Sequence, residues 1–250
     1  MRQGILREEL FRLPGCVSNH PDQGMVYAAR RGAGIGQPVL LALHGSGRQA
    51  ESYRDIPFYR FQRDRALDNG YLFLCISNGM DTWGLDDGLR NVEALHAFIL
   101  AREPVRPDWV LWATSAGGAL MHRLVRERGA MVRGSLATFP VYDLLDAFAH
   151  SPGCGKAWGA SSAAELGAVL HGRNPPDFVA DLTGREYLIF HGREDTLLAP
   201  ERHSLRFRDE ANARGGRVEV VLTAGGHSTG NGAVCDREAV DRRLRAWARG

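Results

Sequence analysis

The stretch "VLWATSAGGALMHRL" (110–124) begins as an apolar, strand-like run and ends with apolar residues at helical spacing, with Ser115 at the join. Its neighbours Ala113, Thr114, Ala116, Gly117 and Gly118 are all small. A hydroxyl on so tight a corner must adopt a sparsely populated backbone conformation, which only small neighbours accommodate. A serine attacks a carbonyl when a base removes its proton. Histidine suits that task near neutral pH, and His227 stands in the Gly-rich "TAGGHSTG", directly after the last apolar run. The base in turn needs a carboxylate to fix its tautomer and stabilise the imidazolium. Asp195, in "HGREDTLLAP", follows the preceding run. "LALHGSGRQ" (41–49) supplies a fourth part, because Gly45 and Gly47 let backbone N–H groups converge on one point. The amides of Ser46 or Gly47, with that of Ala116, would hold a developing oxyanion, each worth roughly 3 kcal/mol. The chemistry these residues could share is acyl transfer through a serine.

Each fragment alone has an ordinary reading: a capped helix start, a turn, a loop before a helix. What joins them is the pattern of elements. Continuous apolar runs at 39–45, 71–77, 109–113, 133–139, 186–192 and 217–223 read as strands covered on both faces. They alternate with helical patterns at 51–69, 89–102, 116–128, 201–214 and 236–249. Segments 9–13 and 25–30 read as a leading antiparallel pair. Such alternation calls for a single α/β domain over residues 1–250, a mostly parallel sheet with helices on both faces. Ligands of such sheets bind beyond the carboxyl ends of the strands, where Ser115, Asp195 and His227 all fall. Residues 140–185, rich in Gly, Pro, Ser and Ala, interrupt the rhythm and read as a small helical insertion or lid over the site. "ISNGMDTWGLDDG" (76–88) should border the same pocket, with Asn78 and Trp83 as substrate contacts and Trp158 of the insertion as an opposite wall. Asp81, Asp86 and Asp87 solvate that loop or cap the next helix.

Composition removes other classes. With 31 basic and 29 acidic residues in 250, a net charge of +2 and no basic block, nucleic acid is not the expected partner. No apolar run approaches the roughly 20 residues of a membrane span. "MRQGILREELFRLPG" shows no signal-peptide core, so the cytoplasm is the expected location. Cys16, Cys75, Cys154 and Cys235 form no CxxC pair, and neither a disulfide framework nor a metal site is expected. His20, His44, His150 and His171 lack ligand-like spacing, His44 packing under the oxyanion loop. "GAGIG" (32–36) precedes a strand rather than opening a helix, so it reads as a turn and not as a dinucleotide loop.

"LALHGSG", "ATSAG", "FHGREDTLLAP" and "GGHS" together resemble the α/β-hydrolase superfamily, whose order of elements the chain fits from about residue 25 onward. The resemblance implies nucleophile, acid and base in the order Ser115, Asp195, His227, with neither metal nor organic cofactor. Ala113 departs from the first glycine of the G-x-S-x-G elbow and implies a slight repositioning of the turn. Asp143, after the strand at 133–139, is a second candidate acid. The expected activity is hydrolysis of a small carboxylic ester, with a sugar-linked ester among the candidate substrates. A small serine peptidase or amidase, an acyltransferase, or a binding protein on the same fold are the alternatives.

Overall fold

The computed structural model describes residues 7–13, 23–28, 36–78, 83–228 and 235–249. Its strands are β1 (Arg7–Arg12), β2 (Gln23–Ala28), β3 (Val39–Leu43), β4 (Leu72–Ile76), β5 (Trp109–Thr114), β6 (Val132–Thr138), β7 (Glu186–Gly192) and β8 (Arg217–Thr223). They form one sheet in the order β1-β2-β4-β3-β5-β6-β7-β8. β1 with β2 and β2 with β4 are antiparallel, and every other neighbouring pair is parallel. The fold-class expectation is met. GAGIG, apart from Gly36, lies outside the described residues, as do Cys16, His20 and Asp81.

The strand residues explain the layers. Along β3, Val39, Leu41 and Leu43 belong to one buried cluster, while Leu40 and Ala42 belong to another. β4 and β5 divide in the same alternating way, because successive side chains point to opposite faces. One face is covered by α3 (Asp86–Arg102), α4 (Gly117–Glu127) and α8 (Ser204–Asn212), the other by α1 (Ser52–Asp55), α2 (Pro57–Asp68) and α9 (Arg237–Arg249). Apolar residues on every strand position are therefore a consequence of double coverage.

The helix expected over 51–69 is two helices. Pro57 starts α2, and Ile56 before it is extended (φ −100°, ψ 123°). Proline disfavours the α conformation in its predecessor, so the chain breaks there. α3 starts three residues before the expected Leu89, and Asp86 and Asp87 occupy its first turn. Carboxylates are favourable at that positive helix end, and here they also pair with Arg123 and Arg173 (Asp86) and with Arg90 (Asp87). Within 140–185 lie α5 (Leu144–His150), α6 (Pro152–Trp158), α7 (Ala163–Val169) and a 3₁₀ segment (Pro175–Leu182).

His122 of α4 is fully buried among Tyr142, Tyr187 and Phe207. Burial pushes its imidazole down to about 3, so the folded chain holds it neutral. The unfolded chain binds a proton there below roughly pH 6.5. The stability this neutral ring confers is present above that pH and is lost as pH falls toward 3. His122→Phe should therefore flatten the pH dependence of the unfolding free energy between pH 6 and 4, by up to about 1.4 kcal/mol per pH unit. Denaturant titrations at several pH values measure this directly.

Candidate active site

The topology brings Ser115, Asp195 and His227 to one place. β3 is flanked by β4 on one side and β5 on the other, and a crevice opens where the strand order reverses. Ser115 follows β5 at φ +51°, a region non-glycine residues seldom occupy. The turn closes through hydrogen bonds from Ser115 N to Thr138 O (3.1 Å) and from Gly118 N to Ser115 O (2.8 Å). Gly117 cannot be replaced without movement, since a Cβ there would stand 2.3 Å from Leu43 O. Gly117→Ala should therefore push the elbow off β3, lowering the melting temperature by several degrees in a thermal scan.

Ser115 Oγ lies 2.9 Å from His227 Nε2, and His227 Nδ1 lies 2.8 Å from Asp195 Oδ2. An ionised carboxylate only accepts, so Nδ1 carries the proton and Nε2 is free to accept that of Ser115. Asp195 is itself fixed at both oxygens. Oδ1 accepts from the amides of Leu197 (3.0 Å) and Leu198 (2.9 Å), while Oδ2 faces His227 and His191 Nε2 (3.2 Å). Burial pushes its carboxyl up, but the hydrogen bonds from His191 and His227 outweigh this and hold it well below the usual carboxylate range. The loops carrying Asp195 and His227 pass so closely that a Cβ on Gly192 would meet Gly225 O at 2.2 Å. Phe139 supports the imidazole, with ring centroids 4.3 Å apart.

A cavity of about 230 Å³ opens over these groups, lined among the described residues by Gly45, Ser46, Arg48, Tyr59, Trp83, Thr114, Ser115, Phe139, Ser151, Leu197, Leu198 and His227. Beside it, the Ala116 amide has no protein acceptor among the described residues, although the residue is fully buried. A buried N–H of this kind wants a ligand oxygen. Gly47 adopts φ +68° in the facing loop. His44 lies beneath that loop, its ring nitrogens 2.7 Å from Gly45 O and Ser77 O.

Solved structures share this arrangement of elements. An acylaminoacyl peptidase of Pyrococcus horikoshii aligns over 98% of this chain at 13% identity with a TM-score of 0.75. The present chain spans 40% of that protein's length. An S-formylglutathione hydrolase from Agrobacterium tumefaciens aligns over 98% of both chains, at 16% identity and a TM-score of 0.72. A Pyrobaculum calidifontis esterase aligns over 99% of this chain and 86% of its own, at 18% identity and 0.69. The fold is that of the α/β-hydrolases. No protein-family model and no curated protein matches the sequence itself.

Within this α/β-hydrolase fold some expected positions take other places. Asn78 does not line the cavity: it is buried, and its Oδ1 accepts from Asn91 Nδ2 (2.9 Å). Trp158 is one layer removed, donating through Nε1 to Trp83 O (3.0 Å), so it backs Trp83, which does line the cavity. Asp143 is committed elsewhere. It caps α5 through Leu145 N (2.9 Å), accepts from Asn174 (2.9 Å) and pairs with Arg206 (2.7 Å). Ala113 is fully buried in β5 between β3 and β6, and Ser115 reaches His227 with that residue in place. Among the described residues no cluster of three His, Cys, Asp or Glu side chains is placed to hold a metal, and no helix is long and apolar enough to cross a membrane.

His191, Tyr59 and Arg48 were not legible as site residues. His191 reads as one more strand position in "EYLIFHG", yet its Nε2–H faces both Asp195 Oδ2 and Leu198 O (2.7 Å), while its Nδ1 accepts a hydrogen bond from the Ser204 hydroxyl (2.6 Å). Tyr59 reads as an apolar position of α2, and its hydroxyl accepts from Gly45 N (3.3 Å).

Proposed function

We propose that the chain is a serine hydrolase that cleaves small carboxylic esters through an acyl-enzyme on Ser115. The continuous contact from Ser115 Oγ through His227 to Asp195 carries this reading. As Oγ bonds to the ester carbonyl carbon, its proton passes to His227 Nε2 and the carbonyl π electrons move onto oxygen. The Ala116 amide and an amide of the 45–47 loop receive that oxyanion. Its collapse breaks the bond to the alkoxy oxygen, which leaves as an alcohol with the proton from His227. Water then repeats the sequence and releases the acid. The three side chains and water balance both halves, so no metal or organic cofactor is required.

Ester specificity is supported by the cavity's small size. It is also supported by the neighbours matched over most of their own length, which are an S-formylglutathione hydrolase and an esterase. A peptidase reading draws on the acylaminoacyl peptidase likeness, which extends over 40% of that protein. Matched nitrophenyl ester and nitroanilide substrates separate the two: the ester should be turned over much faster, and equal kcat/KM for both would favour the peptidase. Residues 140–185 form the insertion over the site in this reading, since Ser151 lines the cavity and Trp158 braces Trp83. Cys154 and Cys235 form no disulfide, which accords with action in the cytoplasm; the substrate in this reading is a small molecule, with no nucleic-acid or membrane partner.

His191→Phe retains a ring but donates nothing to Asp195. It should lower kcat about tenfold, the value of one hydrogen bond to a charged group, with KM nearly constant. A raised KM at unchanged kcat would instead give His191 a role in substrate binding.

A further inference from the structure

The cavity over Ser115 has an uneven distribution of charge. Among the described residues lining it, Arg48 and His227 alone carry basic side chains, and none is acidic. His227 is already engaged by Ser115 and Asp195. Arg48 directly follows the 45–47 loop and is only partly exposed, with its charge beside the Tyr59 hydroxyl. Among the described residues it has no carboxylate partner, whereas Arg63, Arg65, Arg123, Arg128 and Arg206 all have one. A partly exposed guanidinium beside a cavity whose described lining holds no carboxylate favours an anion there.

Trp83 points the same way independently. Its side chain is nearly fully buried at 2% exposure and lines the cavity, yet its Nε1–H finds no acceptor among the described residues. That nitrogen lies 3.5 Å from where a Cβ on Gly153 would stand, a point 3.3 Å from Ser46 Oγ. The glycine keeps this space open. A buried indole N–H without a partner implies a ligand acceptor oxygen.

We propose that the substrate is a small anionic ester, whose oxyanion group pairs with Arg48 while an acceptor oxygen receives the Trp83 Nε1–H. The proposal rests on the reading of Ser115 as the reacting group and narrows its substrate class. The shared chemistry is that of a carboxylate or a phosphonate-type oxyanion set a few bonds from the scissile carbonyl, within a cavity of about 230 Å³.

The test compares monoethyl succinate, neutral diethyl succinate, ethyl 3-phosphonopropionate and a cationic ethyl 4-(trimethylammonio)butyrate. The wild type should favour monoethyl succinate over the diethyl ester by on the order of tenfold or more in kcat/KM, as a charge-assisted contact supports. Arg48→Gln should bring that ratio close to one, and Arg48→Glu should reverse it toward the cationic ester. The phosphonate arm tells which oxyanion is preferred. Trp83→Phe should lower kcat/KM for both succinates while leaving their ratio intact. A wild-type ratio near one, or a ratio unmoved by Arg48→Gln, overturns the proposal. Calorimetric binding of monoethyl succinate to Ser115→Ala separates the two levels. If no ester is hydrolysed, the hydrolase reading fails. Binding that Arg48→Gln abolishes would still support the anion site, and no binding at all would refute it.

Discussion

Ser115→Ala is expected to lower kcat/KM for a short-chain nitrophenyl ester by a factor on the order of 10⁶, the scale seen when the nucleophile of such a triad is removed. The fold should survive, because alanine loses only the hydroxyl and the turn is held by backbone hydrogen bonds at Ser115 N and O. The circular dichroism spectrum should therefore be unchanged and the melting temperature nearly so. A variant that keeps more than about a thousandth of wild-type activity would exclude Ser115 as the nucleophile, since the remaining groups of such a site support only residual catalysis.

Asp195→Asn should cost on the order of 10⁴ in kcat, with KM much less affected. The carboxylate accepts at both oxygens, from two backbone amides and two histidines. An asparagine satisfying the amides through its carbonyl oxygen turns an NH₂ group toward His227 and His191. His227 would then present Nδ1 as acceptor and carry its proton on Nε2, facing Ser115 with a donor where a base is needed. The loss should hold at every pH, because it follows from the wrong tautomer and not from a displaced titration. Asp195 also bears on stability. Its folded carboxyl is held below the unfolded value, so its contribution is present above roughly pH 4 and is lost as pH falls below that. Asp195→Asn removes that acid-labile part.

The strands, and the polar residues Ser115, Asp195 and His227 that stand one to four positions beyond them, were readable because double-sided burial writes continuous apolar runs. Ser115, Asp195 and His227 each announce themselves by residue type after a strand end. The supporting cast does not. Tyr59 sits on an apolar helical stripe as any core aromatic would, and only the placement of α2 beneath the β3 loop turns its hydroxyl toward Gly45. His191 occupies an inward strand position where a branched aliphatic would read identically, and its role depends on the course of the 193–198 loop back over the strand end. Asn78 and Trp158 show the converse. Both belong to segments that border the site, but one faces Asn91 and the other the back of Trp83. Sequence proximity to a pocket does not settle which layer a side chain occupies. The break at Pro57 was visible as a residue, though the apolar spacing on both sides of it continues as if one helix ran through.

The most direct measurement is labelling of the folded protein with a fluorophosphonate, followed by mass spectrometry of its peptides. A nucleophilic Ser115 predicts one covalent adduct, on the peptide carrying that residue, formed in the native protein and prevented by denaturation or by His227→Ala. Intact, folded protein that takes up no label, or label placed on another serine, would contradict the account.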